Sequence, residues 1–138
     1  MNLTSPSQVK AWCIENGFHP NKVLGQNFLI DGNALRAIVD AGLEGIRDQG
    51  SGIRVLEIGP GLGVLTEEML KRGCEVVAIE KDSVLAARLK ESLGNPDGLT
   101  VIEGDALDVL SVPCSLFPVP SLSISNLPYQ AGTRAAAW

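Results

Sequence analysis

Histidine occurs once in this chain of 138 residues, as His19, and cysteine three times, as Cys13, Cys74 and Cys114. The cysteines are odd in number, widely spaced and free of any Cys-x-x-Cys pattern. That excludes a disulfide framework and a zinc site, and points to reduced thiols in a cytoplasmic protein. His19 stands beside Pro20 and reads as a solvated loop residue, not a catalytic base. No clustered set of ligands supports a metal. Also missing is any apolar run near the ~18 to 20 residues that a membrane span requires. Met1-Asn2-Leu3-Thr4-Ser5-Pro6 has neither the basic start nor the apolar stretch of a signal peptide. Positive charge is scarce, the net charge being −5. Phosphate contacts are made by Lys and Arg, so the balance cuts against a broad nucleic-acid footprint. Lys22, Arg36, Lys81 and Arg134, the basic residues nearest the motifs below, are too scattered to form a patch. What remains, 45% hydrophobic and 20% charged, is a globular chain of one-domain length.

The order of elements is legible in the pattern. Ser5-Pro6-Ser7-Gln8 predicts a helix start, with Ser5 as N-cap, Pro6 at the first position and Gln8 closing a capping box. Val9, Trp12 and Cys13 form its apolar stripe and Gly17 ends it. A loop with Leu24-Gly25-Gln26-Asn27-Phe28-Leu29-Ile30 follows, then a second helix whose stripe is Leu35, Ile38, Val39 and Gly42. Residues 44–52 are polar and glycine-rich and read as a linker.

From Ile53 onward strands alternate with helices. Strands are expected at 53–58, 75–79, 99–102 and 122–125. Helices are expected at 62–72 and 82–93, with a short helical turn and a proline-spaced loop within 108–120. Alternation of this kind implies right-handed crossovers and a parallel α/β sheet with flanking helices. An open parallel sheet puts its ligand crevice at the carboxyl ends of its strands. Gly59, Glu80, Asp105 and Asn126 fall at or just past those four ends.

Each position admits two readings. Gly59, Gly61 and Gly63, in Glu57-Ile58-Gly59-Pro60-Gly61-Leu62-Gly63, allow a tight turn and close backbone approach to a nucleoside cofactor, or form a merely structural turn. Val64 stands where a dinucleotide fingerprint would need glycine, and the Gly-Lys-Ser/Thr of a phosphate loop is absent. Glu80 could accept hydrogen bonds from both ribose hydroxyls, or be an exposed charge at a strand end. Asp105 could accept from an adenine amino group, or cap the next helix. A sulfonium methyl donor needs no phosphate cradle, which fits a turn without Lys or Arg.

Asn126-Leu127-Pro128-Tyr129 follows the last strand. The Asn126 side-chain oxygen and the Leu127 carbonyl can accept both hydrogens of an exocyclic amine, freeing its lone pair from the ring. Pro128 fixes the local backbone without a competing N–H, and Tyr129 offers a face on which a base can stack. As the amine attacks, positive charge leaves the sulfonium, so alignment and dipoles suffice and no shifted general base is required. The competing reading is an ordinary strand-to-turn junction. Donor and acceptor motifs together suggest methylation of an adenine.

Gly25-Gln26-Asn27-Phe28-Leu29, Glu57-Ile58-Gly59-Pro60-Gly61, Glu80, Gly104-Asp105-Ala106 and Asn126-Leu127-Pro128-Tyr129 occur in the order seen in ribosomal RNA adenine N6,N6-dimethyltransferases. The chain resembles that family from about Val23 to Tyr129. The resemblance implies a Rossmann-like class I S-adenosylmethionine-dependent methyltransferase fold. It implies donor binding by Asn27, Leu29, Gly59, Gly61, Glu80, Asp105 and Asn126, and a target adenine held by Asn126, Leu127, Pro128 and Tyr129. The substrate implied is small-subunit ribosomal RNA in a pre-30S particle, dimethylated at two adjacent adenines near its 3′ end. S-adenosylhomocysteine would leave between the two transfers.

Leu127 favours this over the erythromycin-resistance methylases of large-subunit RNA, which more often carry Ile there. Methylases of DNA adenine or protein glutamine use Asn-Pro-Pro-Tyr or Asp-Pro-Pro-Tyr, and Leu127 opposes them. A non-catalytic RNA-binding or assembly module is the remaining alternative.

Family members continue well past this motif, to a seven-stranded sheet and a small helical domain. Residues 1–52 are therefore expected to form a helical segment with a cofactor-contacting loop. Residues 53–138 would form the first, four-stranded part of the methyltransferase domain. The fourth strand would then be a sheet edge, and an exposed apolar edge favours self-association.

Overall fold

The computed structural model describes residues 5–17, 32–44, 52–112 and 119–125. Strands β1 (Arg54–Ile58), β2 (Glu75–Glu80), β3 (Leu99–Glu103) and β4 (Leu122–Ser123) form one parallel sheet in the order β3-β2-β1-β4. Val55 pairs with Val76 on one side and Leu122 on the other, and Ala78 pairs with Val101. The chain runs outward from β1 through β2 to β3, then returns to the far side of β1. The order therefore reverses between β1 and β4, where such sheets open a crevice.

Residues alternate between the two faces with the period of two that a strand imposes. Val55, Val76, Ala78 and Leu99 share one buried cluster with Val9, Cys13, Leu35, Val39, Leu65, Met69 and Leu89 from helices. Leu56, Val77 and Ile79 point the other way, against Ile102, Ala106, Val109 and Leu110.

Helix α1 (Pro6–Glu15) begins with Val9 N–H donating to the Ser5 carbonyl at 3.0 Å. The expected side-chain cap is not made: Ser5 Oγ lies 3.2 Å from Ser7 Oγ instead. Asn16 closes α1, and its Oδ1 accepts from Arg88 at 2.9 Å, tying α1 to α4 (Ser83–Ser92). Helix α2 (Gly32–Leu43) buries Leu35 and Val39, whereas Ile38, expected on the same stripe, is exposed. Gly42 brings α2 against β4's exit: a Cβ there would lie within 2.8 Å of Ile124 Cγ1. Helix α3 (Val64–Lys71) is joined to α2 by Arg72, whose guanidinium bonds Asp40 and Glu68. Helix α5 (Ala106–Ser111) starts directly after β3, earlier than the sequence pattern suggests, because the Asp105 side chain accepts from Leu107 N–H and caps it.

Gly63 sits at φ 89°, a left-handed conformation. A Cβ there would fall 2.7 Å from Leu89 Cδ1 and 3.1 Å from Leu93 Cδ1. Its missing side chain lets α4 pack against the turn, a packing role the sequence pattern did not show. Gly59 is the opposite case, at φ 67° with nothing within 4 Å of an added Cβ. Gly63→Ala should cost about 1–3 kcal/mol through overpacking, on top of the strain it shares with Gly59→Ala. Urea unfolding of the two variants checks this: equal losses would contradict the packing role of Gly63.

Candidate functional site

Four strand ends bring the described site residues to one edge of the sheet. Gly59 N–H donates to the Ile79 carbonyl at 2.9 Å, which docks the start of the glycine turn on β2. Gly61 N–H donates to Glu80 Oε1 at 3.0 Å, and Asp82 N–H to Glu80 Oε2 at 2.9 Å. The Glu80 carbonyl accepts from Gly104 N–H at 2.9 Å. One residue thus holds the turn after β1, the start of α4 and the turn after β3. Glu80 is only 7% exposed, so its reading as an exposed strand-end charge is excluded. Each carboxylate oxygen has two acceptor sites, and two backbone N–H groups leave capacity for further donors.

Of the two roles its position allows, the structure shows Asp105 in the capping one. Its Oδ1 caps α5 through Leu107 N–H at 2.9 Å. Its Oδ2 lies 3.7 Å from Lys81 Nζ and is partly open to solvent. Capping therefore leaves the second oxygen accessible beside the Glu80 hub.

Glu57 is a buried acid to which motif reading gave no separate role. It lies in the middle of the apolar strand β1, 2% exposed, and accepts from the Thr66 hydroxyl of α3. Burial pushes its pKa up from 4.5 to about 8; the Thr66 hydrogen bond opposes the shift and the nearby Glu80 charge adds to it. Glu80 is also raised, chiefly by burial, against the hydrogen bonds from Asp82 and Gly61. The signal was present in the sequence: a strand buried on both faces reads as a continuous apolar run, and Glu57 interrupts it.

Asn27, Leu29, Asn126, Leu127, Pro128 and Tyr129 lie outside the described residues, as do His19 and Cys114. Ser125, the last described residue before the tetrad, receives the Ile58 N–H on its hydroxyl at 2.8 Å. Among the described residues no group of three His, Cys, Asp or Glu side chains is placed to hold a metal ion. None of the described helices is long and apolar enough to cross a membrane.

The profile of the ribosomal RNA adenine dimethylase family matches residues 17–137. The chain belongs to that family. It is 50% identical over 127 residues to ribosomal RNA small subunit methyltransferase A of Deinococcus radiodurans, covering 92% of this chain and 40% of that protein. Identity to the protein of the same name from Geobacillus thermodenitrificans is 41%, covering 96% of this chain and 45% of the relative. The chain thus spans less than half the length of these curated relatives. Among solved structures it is similar to a dimethyladenosine transferase from Plasmodium falciparum. The TM-score is 0.57 at 26% identity, over 78% of this chain and 36% of that one. The parallel sheet, its strand order and this likeness show the Rossmann-like class I methyltransferase fold expected from the sequence.

The buried acids make stability depend on pH. An unfolded Glu57 releases its proton near 4.5, whereas the folded one retains it to about 8. The fold is most favoured below the lower value, and it loses this contribution as pH rises between the two. Stability in urea should therefore fall from about pH 5 to about pH 8. Glu57→Gln, which mimics the protonated acid, should flatten most of that slope and leave a remnant from Glu80. Identical slopes in both proteins would show that Glu57 does not hold its proton.

Proposed function

We propose that this chain supplies the donor-binding part of an enzyme that dimethylates two adjacent adenines of small-subunit ribosomal RNA. The methyl groups come from S-adenosylmethionine. The observation that carries this reading is the Glu80 hub: a buried carboxylate that fixes the glycine turn and retains acceptor capacity at a strand-end crevice. The surroundings fit a nucleoside donor. Above Gly59 there is room where any side chain would intrude, Glu80 has lone pairs left for ribose hydroxyls, and the Asp105 oxygen beside Lys81 can accept from an adenine amine. When bound, the sulfonium group would supply an electrophilic methyl.

The acceptor roles fall to the residues that follow Ser125. Asn126 and Leu127 would orient the target amine by accepting its two hydrogens, and Tyr129 would stack the base. Asn27 and Leu29 would close over the donor. Most of the acceleration then comes from alignment of amine and methyl, with the proton leaving the amine after transfer. The names of the relatives support the small-subunit over the large-subunit substrate. A pre-30S particle in the cytoplasm is the partner this implies. The net charge of −5 leaves this chain no broad basic face, so its RNA contacts would be local or fall to parts of the longer relatives that it does not span.

A substrate panel tests the proposal. With labelled S-adenosylmethionine, methyl incorporation should appear in small-subunit particles lacking the dimethyladenines, and not in duplex DNA or a release-factor peptide. Asn126→Ala should lower it about a hundredfold, as loss of one aligned polar group at a transition state does. Label in DNA or peptide would overturn the acceptor assignment. A folded, donor-bound chain that labels nothing would favour the non-catalytic module.

A further inference from the structure

We propose that Ser125 is a positioning residue: its hydroxyl ends the β1–β4 ladder and sets where the Asn126-Leu127-Pro128-Tyr129 segment leaves the sheet relative to the glycine turn. This deepens the reading above and rests on it for the roles of turn and segment.

The register pairs Val55 with Leu122 and Leu56 with Ser123, and Ile124 N–H donates to the Leu56 carbonyl at 3.1 Å. In a parallel ladder that continued, the next bond would run from Ile58 N–H to the Ile124 carbonyl. The Ile58 N–H donates instead to Ser125 Oγ at 2.8 Å. A part-buried amide satisfied in this way does not require the strand to go on. The chain can thus leave β1 with no orphaned donor, at the point where the strand order reverses. Ser123 Oγ, 3.5 Å away, is within reach of the same hydroxyl.

Position in the chain gives the bond its consequence. Ile58 directly precedes Gly59, and Ser125 directly precedes Asn126. A single hydrogen bond therefore joins the last residue before the donor turn to the last residue before the acceptor tetrad. Ile124 is fixed as well, its side chain buried against Gly42 of α2. The exit is held by the β1 backbone, by α2 and by the hydroxyl, and among these contacts of the described residues the hydroxyl joins the residues that precede both motifs. Alanine or glycine at position 125 could not make this bond; threonine could.

Amide hydrogen exchange read residue by residue tests the proposal in the wild-type chain, Ser125→Ala and Ser125→Thr. In the free proteins, the Ile58 amide should exchange roughly fivefold faster in the alanine variant, the worth of one hydrogen bond, and at the wild-type rate in the threonine variant. Equal rates in all three would overturn the proposal. With S-adenosylhomocysteine added, wild type should gain protection both at Gly59–Gly63 and at the amides of Asn126, Leu127 and Tyr129. Ser125→Ala should gain it at the turn alone. An alanine variant that protects both segments equally would contradict the coupling. Should S-adenosylhomocysteine protect nothing in any protein, the donor reading fails, and the Ile58 comparison alone decides whether Ser125 ends the ladder. Should the alanine variant not fold, Ser125→Cys, similar in shape with a weaker acceptor, takes its place and should give an intermediate rate.

Discussion

The Glu80 carboxylate is the group on which the arrangement of the crevice depends. A turn built from Gly59, Gly61 and Gly63 has three residues in left-handed conformations, held on one side by Leu62 in the core. Glu80 supplies a further constraint by accepting from Gly61 on one oxygen and from Asp82 on the other, while its backbone carbonyl takes Gly104. Burial of a carboxylate is costly, and backbone hydrogen bonds offset the cost. The residue is therefore built into the fold, and under the proposed function it would also receive the donor.

A second buried acid, Glu57, sits one strand over against Thr66. Burial raises the proton affinity of both carboxylates, and the Glu80 charge adds to the shift at Glu57. With a pKa of about 8, Glu57 keeps its proton at neutral pH.

The fold was readable because its signals were local and repeated. Apolar runs at β1 to β3 are separated by helices with clear stops at Gly73 and Gly94, and that alternation dictates a parallel sheet. Helix ends were read less well. The Ser5 cap failed since nothing in a sequence says which way a hydroxyl turns, and α5 began early because Asp105 capped it. The placement of Gly59, Gly61, Glu80 and Asp105 at strand ends was legible in the sequence. What sequence could not supply was partnership. That Glu80 grips Gly61, that Gly63 makes room for Leu89, and that Ser125 takes over a backbone bond are facts of packing between segments distant in the chain.

Calorimetric titration of the 138-residue chain with S-adenosylmethionine tests the central claim most directly, with Glu80→Ala as control. The account predicts saturable one-to-one binding, weakened about tenfold or more when the carboxylate is removed. A chain that circular dichroism shows to be folded, yet that takes up no donor, would contradict it: the pocket would then not be formed by these four strand ends.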